Sequence, residues 1–260
     1  MIATGYEPLG TLKPVADDIW IIDGPAFHRG MIPFPTRATV VRLESGGLWV
    51  HSPVALGERL QSDLAELGPV AHLIATNALD WTHLVDWCSA YPNARLWAVP
   101  ALQQKLEYLD QSEPNSQNLQ YKAAEEEWSR EFFQWVMDGG ETYQEAVFFH
   151  RPSDTLIVGN MIAAIETIHL PAYLRPLVWL TGADSEYSNM PPAVRKHFRD
   201  KEKLADDVER LIGWGPKRII LGHGKWYKHS GVDQLERLFR RLLRNRRYEK
   251  MLNEPRKGPF

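Results

Sequence analysis

Asp80 and His83 stand three residues apart in Asn77-Ala-Leu-Asp-Trp-Thr-His83, on the stretch that follows the apolar run Val70–Ala75. A carboxylate and an imidazole at that separation face the same way once a helix has begun, and together they offer an oxygen and a nitrogen ligand to a divalent metal. The run before them is long enough for one buried strand, and Leu84, Trp87 and Cys88 after them recur at helical spacing. Strand, loop and helix start in that order aim the loop's side chains into the cleft beyond the strand's carboxyl end. A reaction centre, if the chain has one, is therefore expected to be lined by this loop. The plainer chemistry is capping: Asn77 or Asp80 can accept from the free N–H groups of the following helix, and a lone His there is commonly a part-exposed polar residue. Spacing alone favours the capping role over the ligand role.

Other chemistries find less support. Cys88 is the only cysteine, so neither a disulfide within the chain nor a cysteine-based zinc site can form. Its place on the helix after the loop suits a small buried hydrophobe. No nucleophile elbow for Ser/His/Asp catalysis is found, and neither is a Walker-type phosphate loop or a dinucleotide fingerprint. His51, before Ser52-Pro53, is expected to bond a backbone carbonyl near the cleft, and His150, in Phe149-His-Arg-Pro152, to brace a turn. Arg37 reads as an anion contact or a surface charge. Trp20, Trp49, Trp81, Trp87 and Trp97 fall beside strand ends and loops, where they wall a cleft or, more simply, pack the core.

The elements that must position these residues follow from periodicity. Ile19–Ile22, Thr39–Leu43 and Leu48–His51 read as strands, the last two as a hairpin around Glu44-Ser-Gly-Gly47. Met31–Arg37, with two prolines, reads as an ordered loop. Residues 57–100 alternate helix, strand, helix, strand, which argues for an α/β layer. Residues 101–130, with Glu125-Glu-Glu127, read as a solvated helix and loop. Strands return at 132–136, 146–149 and 155–158, and residues 166–200 read as irregular. An amphipathic helix at 203–214 precedes Arg218–Leu221, a buried strand that runs into Gly222-His-Gly224. A last amphipathic helix spans about 232–252, apolar on one side and rich in Arg on the other, a solvated surface by composition. Two such halves, each opening with antiparallel strands, predict a four-layer αββα sandwich, α/β in class, with residues 1–260 forming one domain.

Bulk properties exclude several partners. The chain has 260 residues, 44% hydrophobic and 24% charged, ordinary for a globular protein. A net charge of −3 gives no overall reason to expect nucleic acid or an acidic membrane as partner. No stretch is apolar for the length of a membrane span, and the N-terminus does not read as a secretory leader, so a cytoplasmic location is expected.

Several strings, in their order along the chain, resemble the metallo-β-lactamase superfamily, and more closely a domain-of-unknown-function branch of it with a degenerate metal site. They are Ile22-Asp-Gly24, Met31–Arg37, Gly47-Leu-Trp-Val-His-Ser-Pro53, Thr76-Asn-Ala-Leu79, Ala90–Arg95, Phe148–Ser153 and Leu221-Gly-His-Gly224. The resemblance implies an αββα fold with a metal cleft at one edge of the two sheets. Members that hydrolyse hold two metals through a His-x-His-x-Asp-His loop, a later His, a bridging Asp and a last His. Here Asn77 and Leu79 stand where the two His belong, and Trp81 and Thr82 where Asp and His belong. Glu141, in Gly140-Glu-Thr142, takes a His slot, and Asn160, in Gly159-Asn160, replaces the bridging carboxylate. Only His223 matches.

Leu and Trp cannot bind a metal, and a neutral Asn lacks the charge of a bridging carboxylate. The expectation is therefore a fold that keeps its cleft, lined by Asn77, Asp80, His83, Glu141, Asn160 and His223, with no cofactor. Its role would be binding a small molecule or a partner. Two alternatives stand beside it. One is a metal-dependent hydrolase with a single Zn, Fe or Mn ion on Asp80, His83, Glu141 and His223. The other is a structural subunit working through its apolar and Arg-rich surfaces. Neither a substrate nor an oligomeric state is legible.

Overall fold

The computed structural model describes residues 6–29, 32–79, 81–109, 115–170, 172–181 and 190–253. The first half contributes β1 (Lys13–Ala16), β2 (Ile19–Arg29), β3 (Ile32–Arg42), β4 (Leu48–His51), α1 (Glu58–Leu67), β5 (Val70–Ala75), α2 (Leu84–Ala90), β6 (Arg95–Ala98), α3 (Pro100–Tyr108) and β7 (Ser116–Asn118). These seven strands form one sheet in chain order, antiparallel from β1 to β4 and parallel from β4 to β7. The second half contributes β8 (Phe132–Asp138), β9 (Gln144–His150), β10 (Thr155–Ala164), α4 (Arg175–Thr181), α5 (Pro192–Arg195), α6 (Lys201–Gly213), β11 (Arg218–Gly224), α7 (Gly231–Leu238) and α8 (Arg240–Asn253). Its sheet runs β11-β10-β9-β8, with β10 and β11 parallel.

Alternation along the second sheet shows how the layers are filled. Phe148, Ile157 and Ile220 point inward to a cluster shared with the first sheet. Their neighbours Val147, Phe149, Leu156, Val158, Ile219 and Leu221 point outward, beneath Leu204, Val208, Leu211, Leu235 and Phe239 of the covering helices. A period of two on a strand puts successive side chains on opposite faces, and here both faces are covered. Between the sheets the indole of Trp49 lies 4.7 Å from Phe132 and 4.9 Å from Phe148, ring centre to ring centre. Helices α1 to α3 close the other side with Leu60, Leu64, Leu84, Trp87, Leu102 and Leu106. The αββα architecture expected from the sequence is the one observed. Among the described residues no helix is long and apolar enough to cross a membrane.

Four local expectations are corrected. The proline-rich stretch from Ile32 is not a loop but the start of β3, paired to β2 as far as Arg29. Pro25 and Pro35 fall at the register break between Gly24 and Phe27, where a ladder needs fewer N–H donors, so the prolines cost little there. Glu125 is not solvated: it is buried and accepts from the Gln120 backbone N–H at 2.6 Å and side-chain Nε2 at 2.7 Å. The C-terminal helix is two helices. Phe239 interrupts it at φ −104° and ψ 14°, with its ring buried beneath the sheet's outer face.

The fourth correction concerns Arg37, which is neither an anion contact nor a surface charge. It is buried, with Nε 2.9 Å and Nη2 2.6 Å from Asp23 Oδ1. Its Nη1 donates to the carbonyls of Leu221 at 3.0 Å and Gly224 at 2.6 Å, so one guanidinium ties β2 and β3 to the end of β11. Lys13 supplies a second cation to Asp23 at 2.8 Å. Replacing Arg37 with Met should cost about 3–5 kcal/mol in a urea titration, because a buried carboxylate and two carbonyls lose their shared donor. A cost below about 1 kcal/mol would show the tie to be dispensable.

Candidate functional site

The two sheets meet where β5, β10 and β11 come together. Thr76 and Asn77 follow β5 directly, and His223 lies near the end of β11. Between them, β10 departs from its ladder: Val158 pairs with Leu221 and Ala163 with His223, so residues 159–162 stand opposite Gly222 alone. This bulge is what carries Asn160 toward β5. Glycines make the approach feasible. A Cβ on Gly159 would lie 2.9 Å from Thr76 Oγ1 and 3.2 Å from Asn77 Nδ2, and one on Gly222 would lie 2.9 Å from the Gly159 carbonyl oxygen.

A continuous hydrogen-bond chain crosses the gap. The Leu79 backbone N–H donates to Asn77 Oδ1 at 2.9 Å, which fixes the orientation of that amide. Asn160 Nδ2 then donates to the same oxygen at 2.8 Å, leaving Asn160 Oδ1 turned to His223 Nε2. On its other side, His223 Nδ1 donates to the Pro35 carbonyl at 2.8 Å. That carbonyl sits at the β2–β3 register break, so the proline-rich string has a use that its composition did not reveal. Each imidazole nitrogen faces an oxygen acceptor. With Nδ1–H given to Pro35, the lone pair of the neutral ring lies on Nε2, and the Asn160 amide stands directly in front of it. The half-buried rings of Phe27 and Phe34 lie 5.7 Å and 5.9 Å from the imidazole and form an apolar wall beside it.

A carboxylate that sequence reading missed lies directly behind this chain. Glu145 of β9 is fully buried, and its Oε1 accepts the backbone N–H groups of Met161 at 2.8 Å and Gly159 at 3.1 Å. Tyr143 donates its hydroxyl to Oε2. Burial pushes the Glu145 carboxyl up to about 7, against the opposing pull of those donors. Glu145 thus holds the β10 bulge open from beneath. Its place beside the apolar run 146–149, on the face of Val147 and Phe149, was the available signal, since a buried carboxylate is costly without donors.

The other candidates are dispersed. Asp80 lies outside the described residues. His83 precedes the first turn of α2 and faces Asp86 at 3.8 Å. Glu141 is exposed on the β8–β9 turn. Among the described residues, neither makes a hydrogen bond or ion pair with Asn77, Asn160 or His223. Trp81 is half-buried under the Lys105 ammonium, 5.2 Å from its ring centre, and Lys105 also donates to the Ala78 carbonyl at 2.8 Å. Trp87 is core, donating to the Val54 carbonyl at 2.7 Å. His150 braces its turn as expected, 2.7 Å from Ser153 Oγ. His51 does not bond a carbonyl: both of its buried ring nitrogens lack a partner, as does Ser52 Oγ. Burial lowers the His51 imidazole to about 3.

Two outcomes follow from this geometry. Asn160→Leu removes the middle of the chain, leaving Asn77 Oδ1 with the Leu79 N–H alone and His223 Nε2 facing an apolar group, so a loss of about 2–4 kcal/mol is expected in chemical denaturation. A loss under about 0.5 kcal/mol would mean the chain holds nothing together. The second outcome is a pH dependence. The folded Glu145 carboxyl keeps its proton to about 7, whereas an ordinary one loses it near 4.5. Its stabilising contribution is therefore complete below pH 4.5 and is lost as pH rises through 7, on the order of 3 kcal/mol in all. Glu145→Gln, which mimics the protonated group, should flatten that decline when unfolding is measured across the range.

Solved structures that match this geometry are metallo-β-lactamases. The DIM-1 enzyme exposed to ceftazidime is 10% identical with a TM-score of 0.61, covering 91% of this chain and 97% of that one. TMB-1 is 13% identical with a TM-score of 0.59 over 89% and 97%. A metallo-β-lactamase from Erythrobacter litoralis is 15% identical with a TM-score of 0.58 over 90% and 94%. At such identities the likeness establishes the fold. No curated protein matches the chain. The metals that this fold commonly holds do not suit the residues that meet here: two neutral amides and a single imidazole, whose Nε2 faces the Asn160 amide. Among the described residues no three His, Cys, Asp or Glu side chains assemble into a metal-binding group. A family model described as a domain of unknown function, DUF4336, matches residues 16–242, and the chain belongs to that family, on a metallo-β-lactamase fold.

Proposed function

We propose that this protein is a non-hydrolytic member of the fold, whose cleft binds a small organic molecule or a segment of a partner. The observation that supports the proposal is the run of contacts from Asn77 through Asn160 to His223, in which two neutral amides and a single imidazole, its Nδ1 held by Pro35, are packed against one another. Hydrolysis on this fold needs a metal-bound hydroxide as nucleophile and the same ion as Lewis acid, each worth several kcal/mol to the transition state. Two amides and one engaged imidazole supply neither. What they leave is a rigid polar strip beside Phe27 and Phe34, and an apolar wall with few fixed polar groups is the usual make-up of a small-molecule site.

The test is an assay of the purified protein against a chromogenic cephalosporin and an acyl thioester, with and without added Zn²⁺. Turnover indistinguishable from buffer is expected in every condition. Zinc-dependent hydrolysis that disappears in His223→Ala would contradict the proposal and restore a metal to the cleft.

A further inference from the structure

The outer helical layer carries a second concave surface, built from residues that play no part in the cleft. A groove of about 400 Å³ lies between α5, the start of α6 and the junction of α7 with α8. That volume falls within the range of small-molecule sites. Leu204 and Phe239 form a buried part of its floor, and Leu238 and Leu242 are half-buried beside them. The floor is therefore apolar over most of its extent.

The rim carries an excess of positive charge. Arg195, Lys201, Arg241 and Arg246 line the groove, against Glu202 as the acidic residue among the described lining. Arg246 is already committed: it pairs with Asp206, lies 3.6 Å from Glu209 and donates to the Glu202 carbonyl at 3.0 Å. Lys201 donates its ammonium to the Phe198 carbonyl. Arg195 and Arg241 are exposed and make no hydrogen bond or ion pair among the described residues. The whole chain carries a net charge of −3, so this positive rim is a local feature and not the general state of the surface. Two uncommitted guanidinium groups above an apolar floor are complementary to one kind of ligand, an anionic head joined to an alkyl chain.

We propose that this groove binds a free single-chain amphiphile with a carboxylate head. The alkyl chain lies on Leu204, Leu238, Phe239 and Leu242, and the carboxylate meets Arg195 and Arg241. A concave site of this volume takes one molecule from solution and does not present a flat face to a bilayer.

The probe is decanoate below its micelle concentration, titrated by calorimetry into the full-length protein. Saturable binding of one equivalent is expected, with no comparable binding of decyltrimethylammonium, which has the same chain and the opposite charge. The Arg195→Glu, Arg241→Glu double variant should weaken decanoate at least tenfold. Both positions are on the surface, so its circular dichroism and melting should match those of the parent. Arg241→Gln gives a milder second reading, expected at severalfold. Absence of saturable decanoate binding, equal binding of the cationic analogue, or affinity unchanged in both variants would overturn the proposal. So would association with phosphatidylserine vesicles in the absence of any binding to monomeric decanoate.

Discussion

The amide of Asn160 stands between Asn77 at the end of β5 and His223 in β11, and the meeting of the two sheets at the cleft depends on that contact. The path is closed, because His223 returns to the first sheet through the Pro35 carbonyl. Each member is buried, so each donor or acceptor left alone would carry the full cost of desolvation. A metal ion can hold such a junction by charge. Here neutral amides hold it by geometry, and geometry has to be more exact: the β10 bulge, Gly159 and Gly222 all serve to bring Asn160 within reach. Glu145 supports the arrangement from below by accepting the N–H groups that the bulge leaves out of the ladder.

A second tie runs parallel to the first. Arg37 and Asp23 form a buried ion pair whose spare donors reach the carbonyls of Leu221 and Gly224, on either side of His223. The strand segment that presents the imidazole is thus held from its backbone as well as from its ring. Gly224 itself has φ +85°, and a Cβ there would collide with the Ala164 carbonyl, so the turn after His223 requires glycine. Together these contacts hold the junction of the two sheets in a chain that shares the metallo-β-lactamase fold at 10–15% identity.

Much of this was legible from residue order. Val70–Ala75 and Leu84–Ala90 form the strand and helix that their periodicity predicts, and the αββα layering follows from alternating elements. Three things were not legible. Pro35 contributes through a backbone carbonyl, which every residue has, so its side chain gave no sign of the role. Arg37 looked like a surface charge because its partners lie 14 residues back and about 185 residues ahead. Glu145 gave less sign than Glu141, because the resemblance points to a motif position, and β9 is buried on both faces, so alternation does not single out its carboxylate.

Asn160 closes off the Nε2 side of His223, and zinc titration followed through that ring is the sharpest test. The protein would be labelled with ¹⁵N-histidine, and the resonances assigned by comparison with His223→Gln. The account predicts that the His223 ring signals stay in place as Zn²⁺ is added to several equivalents, while exposed histidines such as His229 are free to respond. A stoichiometric shift of the His223 Nε2 resonance, saturating at one or two equivalents, would contradict it.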